Sequence, residues 1–245
     1  MTAGADKEFE EYSVAAKAAT SFADLKNICI RFFFRQNIQM MSYHHLPPVG
    51  AVGRQPSLTV VAFGFPEAWV ADYTQKEYYK VDPITRLSLS RTRPFLWSEV
   101  RELDKISDEE QMFLYKLSQA VKGDGLAMPL YGPHGRNGYA GLGFGDTSQT
   151  LSDFEISRLH WATQLGHQRY CKLLFKKAPE EIKLSLRERE ILERVAFGDS
   201  SGDIANALAI SRNTVDTYMR RLYVKLDVSD RVTAALRGLA IGVVA

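Results

Sequence analysis

The chain has 245 residues, 45% of them hydrophobic and 24% charged. That composition fits one large or two modest globular domains and excludes disordered, collagen-like and disulfide-rich classes. Lys and Arg number 31 against 29 Asp and Glu, and a net charge of +2 argues neither for nor against a nucleic-acid partner.

Residues 6–19 and 21–36 read as helices, the second with Ser21 as N-cap. Residues 38–43 and 58–65 are β-branched or aromatic runs bounded by Pro and Gly, and so are strand candidates. Pro66 suits the first position of a helix that carries Trp69 and Tyr73, and Asp82 suits the cap of a helix beginning near Ile84. Ser107-Asp108-Glu109-Glu110 is a capping box for a helix to about Val121. Residues 126–131 and 139–145 read as paired strands across a Gly/Pro/Asn-rich connection. In the second of these, small and larger residues alternate from Tyr139 to Phe144, and either face is open as the inward one. Ser152-Asp153-Phe154-Glu155 opens a long helix with Leu159, Ala162, Leu165 and Leu173 at helical spacing. No βαβ rhythm is present, so an α+β domain is expected, an α-β-α sandwich around a mainly antiparallel sheet.

The charged, Pro-bearing stretch Lys176-Lys177-Ala178-Pro179-Glu180-Glu181 marks a break, which places a first domain at 1–175, a linker at 176–182 and a second domain at 183–245. The second domain reads as all-α. A capping box at Ser185 opens a helix closed by Gly198, and Ser201 or Gly202 starts a short helix over 203–209. Ser211 caps a helix over 212–226, and Ser229 caps a fourth running to about Ala240. Four helices, two of them separated by a three-residue turn, describe a helix-turn-helix module.

This domain carries ten basic and eight acidic residues, so the whole net charge falls on it. Val215, Met219, Leu222 and Leu226 form the buried face of the helix over 212–226. Arg212, Asn213, Asp216, Thr217, Arg220 and Arg221 then point outward, and Thr214 and Lys225 complete the candidate DNA-contact set. Arg and Asn suit base edges in a major groove, while Thr and the distal cations suit phosphates. From charge alone, a solvated helix of an ordinary bundle would read the same way.

The spacings Leu186-x-Glu188-Arg189-Glu190-Ile191-Leu192, Ala196-x-Gly198, Ile204-Ala205-x-x-Leu208-x-Ile210-Ser211-x-x-Thr214-Val215 and Lys225-Leu226-x-Val228-x-x-Arg231 resemble the DNA-binding domain of LuxR-type transcription regulators. Asp199 and Tyr218 depart from that pattern, where Lys and His are frequent. In the first domain, Trp69-x-x-x-Tyr73, Asp82-Pro83, Trp97 and Gly125 resemble the acyl-homoserine-lactone-binding domain of quorum-sensing LuxR regulators. The resemblance implies that Trp69 donates to the lactone carbonyl, Tyr73 to the acyl carbonyl, and that Asp82 accepts the amide N–H. Trp97 would wall the ring, with Pro83 and Gly125 shaping the backbone around it. Phe65 would add an aromatic contact to the acyl chain. Taken singly, Trp69 and Trp97 read more readily as core residues and Asp82 more readily as a helix cap.

His44 and His45 read as an exposed pair, and Gly141-x-Gly143-x-Gly145 lacks the context of a dinucleotide fingerprint. Cys29 and Cys171, the only cysteines, lack zinc-ligand spacing, so a reducing cytoplasm is expected. No export signal, membrane span, metal motif, cofactor motif or nucleophile elbow is legible, and the chain is not expected to be an enzyme. The resemblance implies a ligand-responsive regulator that binds an N-acyl homoserine lactone and, as a homodimer, a palindromic promoter element. The helix from Ser152 and the fourth C-terminal helix are the expected dimer surfaces. The alternatives are a regulator answering another small molecule or none, and a protein that sequesters related regulators in inactive heterodimers.

Overall fold

The computed structural model describes residues 3–51, 59–102, 105–146, 150–177 and 182–244. It divides into two compact units, one of residues 1–46, 58–132 and 137–176, the other of 177–245 with 47–57 and 133–136.

The first unit is an α-β-α sandwich. Helices α1 (Ala3–Ala18) and α2 (Phe22–Arg35) lead into strands β1 (Met40–Leu46) and β2 (Thr59–Phe63). Helices α3 (Glu67–Gln75) and α4 (Pro83–Ser88), a two-residue strand β3 (Phe95–Leu96) and α5 (Asp108–Ala120) follow. Strands β4 (Gly125–Leu130) and β5 (Asn137–Gly143) precede the long α6 (Asp153–Lys177). All strand pairs are antiparallel, in the order β2-β1-β5-β4-β3.

Side chains alternate across a strand, so each strand divides its residues between two cores. Leu126, Met128 and Leu130 of β4, with Ala140 and Leu142 of β5, join Phe32, Phe33 and Leu159 in one core. Ala127 and Tyr139, from the same strands, face the other core with Tyr73, Trp97 and Phe113. The register left open by the sequence is thereby settled. Ala140 and Leu142 of β5 face α1, α2 and α6, and Tyr139, Gly141 and Gly143 face the second layer.

Local signals set most helix starts. Ser21 accepts from the Asp24 N–H at 3.1 Å, and Ser107 and Glu110 close a reciprocal capping box. The expectations fail in small ways at two starts in this unit. Pro66 is the cap residue rather than the first helical one, since its ψ of 132° is extended. The strand placed at 38–43 starts later and runs to Leu46, because it pairs with β5 along that whole length.

The second unit contains α7 (Leu186–Ala196), α8 (Ser201–Leu208), α9 (Arg212–Leu226) and α10 (Arg231–Ile241) around Ile191, Leu192, Ile204, Val215, Leu222 and Leu226. Two caps are corrected here. Ser200, not Ser201 or Gly202, caps α8, since its hydroxyl meets the Asp203 N–H while the Asp203 carboxylate returns to the Ser200 N–H. An Asp at the third position does the work usually assigned to Glu or Gln. Asp230, not Ser229, caps α10, because its two oxygens meet both the N–H and the hydroxyl of Thr233. The expected linker falls largely on residues 178–181, outside the described residues.

Candidate functional site

One cavity of about 40 Å³ opens between the sheet and the α3–α5 layer. The strands supply Ser42 and His44 from β1, Val60 and Ala62 from β2, and Tyr139 from β5. Helix α3 supplies Trp69, Val70 and Tyr73, α4 presents Asp82 and Ile84, and Phe65, Trp97 and Phe113 complete most of the wall. Four of the six residues singled out in the sequence thus line one space. Trp69 and Tyr73, one helical turn apart, have ring centroids 6.3 Å apart, and both rings pack on Phe113. Phe65 lies 6.5 Å from Trp97.

Pro83 and Gly125 lie behind this surface. Pro83 is buried as the first residue of α4, where its fixed φ suits the helix and its missing N–H is no loss. Gly125 lies beneath Trp97. A Cβ there would fall 2.8 Å from two atoms of the indole and 2.7 Å from the Leu142 carbonyl oxygen. The Trp97 backbone N–H donates to the Gly125 carbonyl at 2.9 Å, which holds its main chain beside β4.

Asp82 performs two tasks at once. One carboxylate oxygen caps α4, accepting from the N–H groups of Ile84 at 2.9 Å and Thr85 at 3.3 Å. The other accepts from the Tyr73 hydroxyl at 2.8 Å and the Thr85 hydroxyl at 2.9 Å. The two readings left open by the sequence, helix cap and pocket wall, therefore coexist in one side chain. Burial raises the Asp82 carboxyl above the usual range, against the opposing effect of these four bonds. Burial, with the neighbouring Asp82 charge, pushes the Tyr73 hydroxyl well up, so it stays a proton donor.

The polar atom left over points to a ligand. His44 Nδ1 is buried without a hydrogen-bond partner, and the Trp97 indole N–H faces the Tyr139 hydroxyl. Buried polar groups are nearly always paired, so each unpaired one needs a reason. The expectation that His44 and His45 are exposed is incorrect, since only 3% and 6% of their surfaces remain open. β1 is covered on both faces, and the alternation sends His44 to the cavity and His45 to the rings of His167 and Tyr170 on α6. The signal available in the sequence was the period-two pattern, had the strand been carried past Tyr43.

In the second unit, α8 ends on Ala209 at a φ of 51°, and the turn through Ile210 to Ser211 sets α9 across it. Arg212, Asn213, Asp216, Thr217, Arg220 and Arg221 are all exposed on α9, opposite Val215, Met219 and Leu222. Arg212 lies along the start of α8, close enough that a Cβ on Gly202 would sit 3.1 Å from its guanidinium. Arg221 lies over the Tyr218 ring at 5.5 Å, and the Thr217 hydroxyl is turned back on the Asn213 carbonyl at 2.8 Å. Thr214 is half-buried, with its hydroxyl 2.8 Å from that of Ser211. Lys225 serves the domain itself, donating to the buried Glu188 at 2.7 Å and to the Lys183 carbonyl at 3.1 Å. Burial would raise the Glu188 carboxyl, but Lys225 and the Ser185 bonds together outweigh it and hold it below the usual range.

Residues 21–170 match the autoinducer binding domain family, and residues 183–237 match the bacterial regulatory proteins of the luxR family. The chain belongs to the LuxR-type transcription regulators, which join an autoinducer-binding domain to a helix-turn-helix DNA-binding domain. Among its relatives is the quorum-sensing regulator RhlR of Pseudomonas aeruginosa, 29% identical over 187 residues that cover 74% of each chain. Another is the HTH-type transcriptional regulator y4qH of Sinorhizobium fredii, 28% identical over 74% of this chain. The match spans only 55% of that longer protein. In fold, the chain is similar to SdiA of Escherichia coli, with a TM-score of 0.74 over 97% of this chain and 98% of SdiA at 18% identity. Among the described residues, no helix is long and apolar enough to cross a membrane, and no cluster of His, Cys, Asp or Glu is placed to hold a metal.

Proposed function

We propose that the first unit binds an N-acyl homoserine lactone and that the second binds a palindromic promoter element as part of a homodimer. The observation that carries the ligand reading is the Tyr73–Asp82 pair in an aromatic cavity. All four acceptor positions of the Asp82 carboxylate are taken, so a ligand amide needs one of them released. Tyr73 is the partner able to leave. If its hydroxyl rotates from Asp82 to the acyl carbonyl, the freed carboxylate oxygen accepts the amide N–H. The ligand's donor and acceptor thus replace a bond that already spans the site. Trp69, whose indole shares the wall, donates to the lactone carbonyl, and Trp97 covers the ring.

The cavity is narrow, so side chains move apart as the ligand enters. Ligand binding then shifts the population towards a more ordered first unit. Each two-fold half-site calls for one helix-turn-helix, which is why a homodimer is proposed. The exposed face of α9 supplies Arg212 and Asn213 for base edges.

The purified chain is expected to carry a lactone identifiable by mass spectrometry after expression with a pool of acyl homoserine lactones. In gel shifts it is expected to retard a palindromic duplex at half the concentration series that a single half-site needs or lower. Capture of no lactone by folded protein refutes the ligand reading. Absence of any retardation favours a sequestering role over promoter binding. Arg221→Ala is expected to weaken binding across sequences and reduce the salt slope by about 1, whereas Arg212→Ala should alter base preference with the slope nearly kept. Titration at several salt concentrations distinguishes the two.

A further inference from the structure

His44 stands near the centre of the sheet, opposite Val60 of β2 on one side and Tyr139 of β5 on the other. Its ring meets Tyr73 edge-on at 5.4 Å between centroids and tilts against Tyr139 at 5.0 Å. It lines the cavity, and its Nδ1 has no partner. A Leu or Val would fill this central strand position without leaving a buried nitrogen unpaired. Burial pushes the imidazole down to about 3, so the ring is neutral at physiological pH and offers one N–H and one lone pair.

Two hydroxyls stand beside it on the same face of the sheet. Ser42 is two residues away on β1 and pairs with Gly141. A Cβ on Gly141 would lie 2.7 Å from both the Ser42 and the Tyr139 hydroxyl oxygens. The absence of a side chain at Gly141 therefore lets these two hydroxyls pack over its Cα, a polar spot in an otherwise aromatic wall. In the lactone reading, on which this step rests, Tyr73 takes the acyl carbonyl. His44, in contact with Tyr73, then faces the first carbons of the acyl chain.

We propose that His44 is a specificity-determining ligand contact that reads an oxygen substituent, best a hydroxyl, on the acyl chain close to its carbonyl. A hydroxyl both donates and accepts, so it satisfies the neutral imidazole in either tautomer, and Ser42 and Tyr139 can complete its bonds. An unsubstituted chain leaves the buried His44 nitrogen facing hydrocarbon. A site built to bond a hydroxyl rejects the analogue that lacks it far more strongly than an apolar site rejects an added one.

The test uses the full chain and three lactones of equal length, hexanoyl, β-hydroxyhexanoyl and β-ketohexanoyl homoserine lactone, with thermal shift and promoter dose response as readouts. The wild type is expected to respond to the β-hydroxy compound at a concentration lower by about 10-fold or more than to the unsubstituted one. His44→Leu should abolish that preference while keeping or improving the response to the unsubstituted lactone, and His44→Gln should retain part of it. Equal wild-type responses to all three overturn the proposal. So does an unchanged preference in His44→Leu or, should that variant not fold, in His44→Gln. A folded wild type that responds to none of the three, nor to lactones of other lengths, overturns the lactone reading itself and this proposal with it. Response without discrimination overturns only the role of His44.

Discussion

Asp82→Asn is expected to cut affinity for an acyl homoserine lactone by about 10- to 150-fold while leaving the ligand-free fold intact, a separation that follows from the two tasks of this side chain. Asn is as good a helix cap as Asp, so the N–H groups of Ile84 and Thr85 keep an acceptor. The hydroxyls of Tyr73 and Thr85, which now donate to the second carboxylate oxygen, can turn to accept from the Asn amide. Burial already raises the Asp82 carboxyl, so the folded state holds its proton more tightly than the unfolded chain does. The cost of keeping this group ionised in the fold grows as pH rises through its folded-state value, and Asn removes that cost. The ligand-free melting temperature should therefore change little or rise slightly.

Binding behaves differently. The amide N–H of the ligand would meet an NH₂ group instead of a carboxylate oxygen, so a charge-assisted bond, about 1.5–3 kcal/mol, is exchanged for two opposed donors. Thermal shift with and without lactone checks both halves. The ligand-induced gain in melting temperature should shrink sharply while the baseline holds. An undiminished gain would remove Asp82 from the ligand's contacts and leave it as a cap alone.

Asp82 also shows what a sequence can and cannot disclose. Its capping role is local, requiring only the carboxylate and two following N–H groups, and so it was legible beside Pro83. Its second role depends on Tyr73, nine residues earlier on another helix, and no local pattern reports that meeting. The same division runs through the chain. The capping boxes at Ser107 and Ser185 and the cap at Ser21 were readable, because each is settled within four residues. The four-helix second domain followed from them.

Pairing in the sheet was less readable. β3 has only two residues, too few for any periodic signal, yet it sets Trp97 on the sheet edge. His44 and His45 looked exposed because a charged-capable pair at the end of an apolar run suggests a strand leaving the core. Their burial is fixed by β5 pairing with β1 as far as Leu46, a contact between residues more than ninety apart. Likewise, the alternation from Tyr139 to Phe144 was visible, but its inward face was not. Either set, Tyr139, Gly141 and Gly143 or Ala140 and Leu142, is compatible with a period of two on the pocket face until the partner strands are known.

Gly125→Ala is expected to lower stability by about 1–3 kcal/mol and to cost most of the ligand response, although the substitution adds only a methyl group. Gly125 has no positive φ, so backbone freedom is not why glycine stands there. Space is the reason. Gly125 pairs with Gly143 across β4 and β5, and the Trp97 indole lies over both, with a Cβ on Gly143 falling 3.0 Å from the ring and 2.9 Å from the Met40 side chain. At Gly125 the obstruction is tighter and includes the Leu142 carbonyl oxygen, which the sheet ladder holds in place. The backbone cannot retreat, so the indole must. The Trp97 backbone N–H is tied to the Gly125 carbonyl, so only the side chain is free to swing, into the cavity it walls.

The displaced ring would occupy the space proposed for the lactone, so the loss of response should exceed what the loss of stability explains. Denaturant melts of the ligand-free protein give the first quantity, and lactone titration at a temperature where both proteins are folded gives the second. Trp97→Phe provides the complementary check. A smaller ring in the Gly125→Ala background should restore part of the stability lost, giving a coupling between the two sites of the sign expected for relieved overpacking. Strict additivity of the two changes would show that residue 125 acts on something other than Trp97.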